Sequence, residues 1–381
     1  MSRNQLLFAT SAIPEVGGQG LNFFHMARGF SGLVDVTTFA LGTIESLPGN
    51  QIERSALATT MGRVPVIRRC HGRIDLAEAR SFDRRTAKEV HGQYDFFAGA
   101  SSQCLKSLDR AGSLGCRTIL DCVTLHGRTF RERQIKESVR FGISPRLLDA
   151  TVQRMEAEYA RADRIRVMSS VAKADLVSRG VCGDKITVAT PPVDCSQFPR
   201  ANFQEDIFRI SFVGMLEPTK GIAYLLDAFD RLSPDNNVEL VFWGGFGSRR
   251  VAKFFQSYLD SHPGIIIRSG SIRDHGLHEV YAKSSVLVHP SLADGFGYVV
   301  QEAMACGLPV IVTDATGAAD LVTDGRNGFV VPAGDAQSIA DRLAHLIQCP
   351  SLLPTLGRCA LDTVKNTNMQ AFTESLANLT K

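Results

Sequence analysis

The strongest constraint on how this chain can fold is a pattern that occurs twice. Short apolar, β-branched runs recur along it, each followed by a glycine-bearing turn and usually by an amphipathic stretch. In the first half the strand candidates are 5–10, 35–40, 64–69, 95–100, 117–123 and 164–168. In the second half they are 209–213, 239–243, 265–268, 286–289, 310–313 and 329–331. Residues 147–162 carry Leu147, Leu148, Val152, Met155, Tyr159 and Ala162 near helical spacing. Strands alternating with helical segments build parallel sheets with helices as crossovers. The expected class is therefore α/β, with two doubly wound, Rossmann-like domains. Such sheets bind ligands beyond the carboxyl ends of their strands.

The seam falls in "TPPVDCSQFPRANFQEDIFR", where Pro191, Pro192 and Pro199 interrupt regular structure before a new strand begins. Domain one is expected over 1–197 and domain two over 198–365, with a last helix at about 366–381 packing back on domain one. A length of 381 residues suits two domains at about 150 residues each. Nine cysteines, none in C-x-x-C spacing, give neither a zinc site nor a disulfide framework, and no apolar run has the length of a membrane span. A cytoplasmic setting is expected.

The net charge of +3 hides an asymmetry: residues 1–200 carry 28 Lys and Arg against 20 Asp and Glu, and the remainder 14 against 19. A basic half points to an anionic partner, either a membrane surface or a phosphorylated acceptor. No zinc-finger or aromatic-basic signature points to nucleic acid.

Four loops after strands could carry chemistry. In "EVGGQGLNFFHMARGF", Gly17, Gly18 and Gly20 let backbone N–H groups approach an oxyanion at a helix start. A dinucleotide fingerprint fails there because Phe23 stands where its third glycine should be. In "SFVGMLEPTKGIAYLLDAF", Lys220 follows the strand-ending Gly214 and precedes a helix, a place where a cation is unfavourable unless an anion joins it. A solvated surface lysine is the alternative. "VFWGGFGSRR" reads as a plain βα turn. In "SLADGFGYVVQEAMACGLPVIVTD", Asp294 precedes Gly295, Phe296 and Gly297, and Glu302 lies about one turn into the helix, roughly 6–7 Å up its axis. A diphosphate on the helix start would then have an acid on either side, and carboxylates accept well from vicinal hydroxyls. The competing reading is an ordinary loop and a short helix.

That last stretch resembles the donor-site signature of glycosyltransferase family 4, the retaining, sugar-nucleotide-dependent enzymes of the GT-B fold. "SFVGMLEPTKGIAYLLDAF" looks like the family's phosphate loop, "LVTDGRNGFVVPAGDAQSIADRL" like its late strand and helix, and "RMEAEYARADRIRVMSS" with "ITVATPPVD" like the end of its first domain. The resemblance implies a GT-B fold with two domains facing across a cleft. On this resemblance Glu302 binds the donor's ribose, while Asp294 with the backbone of Gly295, Phe296 and Gly297 holds the transferred sugar. Tyr298 and Val299 complete the helix start, Gly214 and Lys220 meet the diphosphate, and Gly17 and Gly18 approach it from the other domain. His126 in "DCVTLHG" aligns loosely with a histidine near the reacting carbon. Lys220, Asp294 and His126 are thus the catalytic candidates.

Two departures stand out: aspartate replaces the usual glutamate at 294, and Met215 replaces an arginine that often follows the loop glycine. The resemblance implies transfer of a sugar from a nucleotide-sugar donor to a glycan or lipid-diphosphate-linked acceptor, in surface polysaccharide or glycolipid synthesis. No metal or other cofactor is expected; Mg²⁺ is not indicated, for want of a D-x-D near a suitable strand end. Acceptor binding falls to domain one. There Arg128, Arg131, Arg133, Lys136, Arg140 and Arg146, with Arg68, Arg69, Arg84 and Arg85, form a basic field suited to a peripheral place on an anionic membrane. The i,i+4 pairs Glu132–Lys136 and Arg133–Glu137 offer a solvated helix face instead. The alternatives are a GT-B nucleotide-sugar epimerase or sugar phosphorylase, and a non-catalytic sugar-nucleotide-binding partner. A nicotinamide oxidoreductase is more distant.

Overall fold

The computed structural model describes residues 3–15, 17–45, 47–51, 71–203, 207–232, 237–260, 262, 264–268 and 277–381. The chain divides into two compact units. The first comprises 1–132, 145–192 and 369–381, and the second 133–144 and 193–368. The candidate strand 64–69, with Arg68 and Arg69, lies outside the described residues.

The first unit holds β1 (Gln5–Thr10), β2 (Asp35–Ala40), β3 (Gly49–Gln51), β4 (Phe96–Ala100), β5 (Arg117–Cys122), β6 (Arg164–Val167) and β7 (Ile186–Val188). They form one sheet in the order β3-β2-β1-β4-β5-β6-β7, parallel throughout. The order reverses between β1 and β4, where Leu6 pairs with Phe96 and Ala9 with Gly99. β3 and β7 were not anticipated, because three residues are too few for a period to show.

The second unit repeats the plan with β8 (Phe208–Val213), β9 (Val238–Trp243), β10 (Ile265–Arg268), β11 (Val286–His289), β12 (Val310–Thr313) and β13 (Gly328–Val331). Its order is β10-β9-β8-β11-β12-β13, and its reversal lies between β8 and β11. Strands buried on both faces read as near-continuous apolar runs, as β12 does with all four residues buried.

Two segments group away from their sequence neighbours. Residues 369–381 join the first unit, where Phe372, Leu376 and Leu379 share its core with Leu6, Phe8, Phe23 and Phe30. Gly29 makes room for them, since a Cβ there would come within 2.7 Å of Leu376 Cδ1. Residues 133–144 were expected in domain one but group with the second unit. Phe141 enters that unit's core, its ring 4.5 Å from that of Phe254. Tyr224 donates its hydroxyl to the buried Glu137 at 2.9 Å, and Arg140 pairs with Asp227 at 2.7 Å. Apolar burial at Phe141 and Ile143 decides their place, although the stretch carries a net positive charge.

Candidate functional site

In the second unit the loops after β8 and β11 leave adjacent strands on either side of the reversal, so the fold delivers both to one edge. After β8, Pro218–Lys220 make one 3₁₀ turn and Gly221 closes it with φ +69°. No other residue fits at 221, because a Cβ would lie 1.9 Å from the carbonyl oxygen of Pro290. Leu292 N donates to Thr219 O at 2.8 Å and locks the two loops together. Lys220 is thereby aimed at the second loop, and its ammonium meets Asp294 Oδ2 at 2.5 Å.

Asp294 is held from several sides. Its backbone N–H donates to Ala315 O at 3.1 Å, and its carbonyl accepts from Gly317 N at 3.0 Å. Its Oδ1 accepts from Phe296 N at 3.3 Å, and Oδ2 lies 3.1 Å from Nε2 of the buried His289. Gly297, at φ +91°, starts the helix Tyr298–Ala305 without a side-chain cap. Phe296 is buried and packs edge-on against Tyr298. Val299 and Glu302 follow on that helix. The half-buried Glu302 accepts the hydroxyl of Tyr281 at 2.8 Å.

The electrostatics separate the two acids. Burial pushes the Asp294 carboxyl up, but the Lys220 charge and the His289 hydrogen bond outweigh it and hold the group well below the usual carboxylate range. Among the described residues no cation pairs with Glu302. Burial raises its carboxyl against the opposing pull of the Tyr281 hydroxyl. Burial also lowers His289, despite the neighbouring Asp294, and so favours the neutral ring. Sequence reasoning passed over His289 and Tyr281. The signal for the first was a histidine ending an otherwise apolar strand ahead of a proline, in "VLVHPS".

In the first unit, Gly17 begins the helix Gly17–Ser31 at φ +66° with open space where a Cβ would be. Gly18 follows it on the same exposed first turn. Gly20 has a packing role, because its Cβ would strike Ile13 O at 2.0 Å. At the reversal between β1 and β4 lies a polar cavity of about 20 Å³, with Thr10, Asn22, Ser101, Gln103 and Asp121 among its lining residues. That is room for about one water. In its lining Asn22 donates to Asp121 at 2.6 Å, and the fully buried Arg166 donates to Asn22 at 2.7 Å and to Asp121 at 3.0 Å. This buried trio was not singled out from the sequence.

His126 also belongs to the first unit. It is 2% exposed, its ring packs 5.1 Å from that of Tyr159, and its Nδ1 accepts the backbone N–H of Arg128 at 3.1 Å. That contact caps the helix Gly127–Phe141, and burial lowers the imidazole below its ordinary value. A buried cap is the role its surroundings favour.

The basic stretch is largely paired within its own units. Arg128 pairs with Glu156, Arg131 with Asp149, Arg140 with Asp227, and Arg146 with Asp75. Arg133 and Lys136 have no such partner among the described residues. Also among the described residues, no three His, Cys, Asp or Glu side chains gather as metal ligands, and no helix is long and apolar enough to cross a membrane.

Residues 207–349 match the sequence model of the family described as Glycosyl transferases group 1. The chain is 33% identical over 163 residues to the capsular polysaccharide biosynthesis glycosyltransferase CapM of Staphylococcus aureus, covering 42% of each protein. It is 31% identical over 196 residues to a GDP-mannose-dependent alpha-mannosyltransferase of Mycobacterium tuberculosis, covering 49% of this chain and 48% of that one. It thus spans about half or less of the length of these relatives. Among solved structures, Anabaena Alr3699/HepE in complex with UDP-glucose superimposes with a TM-score of 0.73 at 16% identity, covering 98% of both chains. A sucrose-phosphate synthase from Thermosynechococcus elongatus gives 0.69 at 19%, covering 99% of this chain and 98% of that one. The fold is GT-B.

Proposed function

We propose that the chain is a retaining glycosyltransferase of the family 4 type, moving a hexosyl group from a nucleotide-sugar donor to a glycan or lipid-linked acceptor. The observation that carries the reading is the meeting of Lys220 and Asp294 at the chain reversal of the second sheet, with Glu302 one turn into the helix that follows. An ammonium, an ionised carboxylate and a helix start carried on adjoining loops match the parts of a sugar–diphosphate–ribose ligand. The relatives' names support the reaction class, and a UDP-glucose complex of a structural neighbour supports the donor class.

The task is to expel a nucleoside diphosphate from an anomeric carbon. Lys220 and the N–H groups of the helix start stabilise charge on the leaving oxygen, the electrostatic mode usually worth most. Asp294 holds hydroxyls of the transferred sugar, and Glu302 those of the ribose. The acceptor attacks on the face the diphosphate leaves. Its proton passes to the departing phosphate oxygen, so the anomeric configuration is kept and no carboxylate pair of glycosidase type is required. Charge neutralisation rests on Lys220 without a bound metal. The net positive first half of the chain supports an anionic acceptor or membrane surface, with Arg133 and Lys136 as its available cations. Salt-sensitive retention on liposomes containing anionic lipid tests that part, and no retention at low salt would sink it.

Thermal shifts of the purified protein against UDP, GDP, ADP and dTDP, with Glu302→Ala as control, test the site. A rise with one nucleotide that the variant loses is expected, followed by transfer whose product linkage is read by NMR. No shift with any of the four, well above micromolar, defeats the reading. Binding without turnover would favour the non-catalytic partner, for which the exposed Met215 in place of a second cation is the supporting observation.

A further inference from the structure

We infer that His289 is a positioning residue that keeps Asp294 aimed at the transferred sugar when Lys220 leaves it for the donor's diphosphate; this rests on the donor-site reading above. Asp294 Oδ2 carries both strong contacts, Lys220 Nζ at 2.5 Å and His289 Nε2 at 3.1 Å. Oδ1 has one longer bond, from Phe296 N at 3.3 Å. Lys220 cannot hold the carboxylate at full strength and also neutralise a diphosphate. Once its ammonium turns away, the histidine is the side chain left on Oδ2.

The proton on that histidine is assigned by chemistry. An ionised carboxylate only accepts, so Nε2 must carry the hydrogen, and Nδ1 is then a lone-pair acceptor. Nδ1 is buried and has no hydrogen-bond partner among the described residues, so no second contact competes for the tautomer. The ring ends β11, is 3% exposed and lies close under the helix start, where a Cβ on Gly297 would come 3.2 Å from Nε2. The titratable groups facing it are Asp294 and Lys220. A neutral donor in this place keeps the carboxylate aligned without adding a charge that would compete for the diphosphate.

The experiment compares the wild type with His289→Leu and His289→Gln by calorimetric titration with UDP and UDP-glucose, and with GDP and GDP-mannose. Gln can present an N–H near the Nε2 position, and Leu cannot. The Leu variant should lose about tenfold or more further for the nucleotide-sugar than for the nucleoside diphosphate, since a misaimed carboxylate forfeits its bonds to the sugar hydroxyls while the departure of Lys220 costs both ligands alike. The Gln variant should recover most of that loss. Equal losses for both ligands, unchanged nucleotide-sugar affinity in the Leu variant, or no recovery with Gln would overturn the inference while leaving the donor site standing. A wild-type protein that binds none of these four ligands, nor ADP or dTDP, would overturn the donor site and this inference with it. ¹⁵N-histidine NMR of the wild type provides a check independent of variant folding. The ring of His289 should be neutral with its proton on Nε2, and a proton on Nδ1 alone would overturn the assignment.

Discussion

At the scale of single residues, the site is a balance of charges that substitution should unsettle in a defined direction. On the proposed reading Lys220→Ala removes the cation that faces the leaving group and is expected to lower turnover by about 10²- to 10³-fold, with weaker nucleoside diphosphate binding in calorimetric titration. The same change alters stability, because Lys220 depresses the Asp294 carboxyl. A carboxylate with a depressed folded-state value adds stability above its unfolded value, about 3.9, and loses it as pH falls below that. Wild type should therefore exceed Lys220→Ala in urea unfolding at pH 7, and the gap should close in acid. A gap that widens below pH 4 would contradict the ion pair. Glu302 has the opposite sign. Burial raises it, so its contribution is full in acid and declines as pH rises, and Glu302→Gln should gain on wild type toward neutral pH.

At the scale of elements, strands fixed by long apolar runs were legible: the expected 265–268, 286–289 and 310–313 coincide with β10, β11 and β12. The loops after β8 and β11 were legible too, because Gly221 and Gly297 stand where backbone or a side chain crowds the Cβ position. Gly221→Ala should therefore displace the Lys220 turn and weaken nucleoside diphosphate binding about tenfold or more while β8 and β11 keep their pairing, as amide exchange would show. Contacts between residues far apart in sequence were not legible, since no local period reports them. The Tyr281–Glu302 bond is of this kind, as is the loop after β4, whereas His289 and Asp294 are only five residues apart and meet through the turn between them. There Ser102 takes φ +74° and is pinned by Glu158, which accepts from Ser102 N at 2.5 Å and Cys104 N at 3.0 Å. Burial pushes Glu158 up to about 7, against those two bonds and Arg154. Its stabilising contribution is thus full below about pH 4.5 and fades by about pH 7, up to about 3 kcal/mol at the linkage rate. Wild type should lose stability relative to Glu158→Gln across that window, measured by urea unfolding at stepped pH; a difference independent of pH would refute the raised carboxyl.

At the scale of the whole molecule, the chain builds two cores from segments that are not consecutive. Residues 369–381 complete the first unit, and 133–144 join the second. Each unit has a sheet and core of its own, the condition for unfolding as a separate cooperative body. The proposed donor site lies on one of them, so ligand and deletion should act on different transitions. Nucleoside diphosphate at about 100 times its Kd adds about 2.7 kcal/mol to whatever binds it. In scanning calorimetry that increment should move the transition of the second unit alone. Ending the chain at Asn368 removes Phe372, Leu376 and Leu379, each at most 2% exposed. At about 1.5–3 kcal/mol per buried side chain, the first unit should lose an upper estimate of about 5–9 kcal/mol. The nucleotide-responsive transition should stay in place. The two perturbations together discriminate: one endotherm shifted by both would mean the units unfold as one body, whereas two endotherms, each answering one perturbation, would place nucleotide binding on the second sheet without recourse to a substitution there.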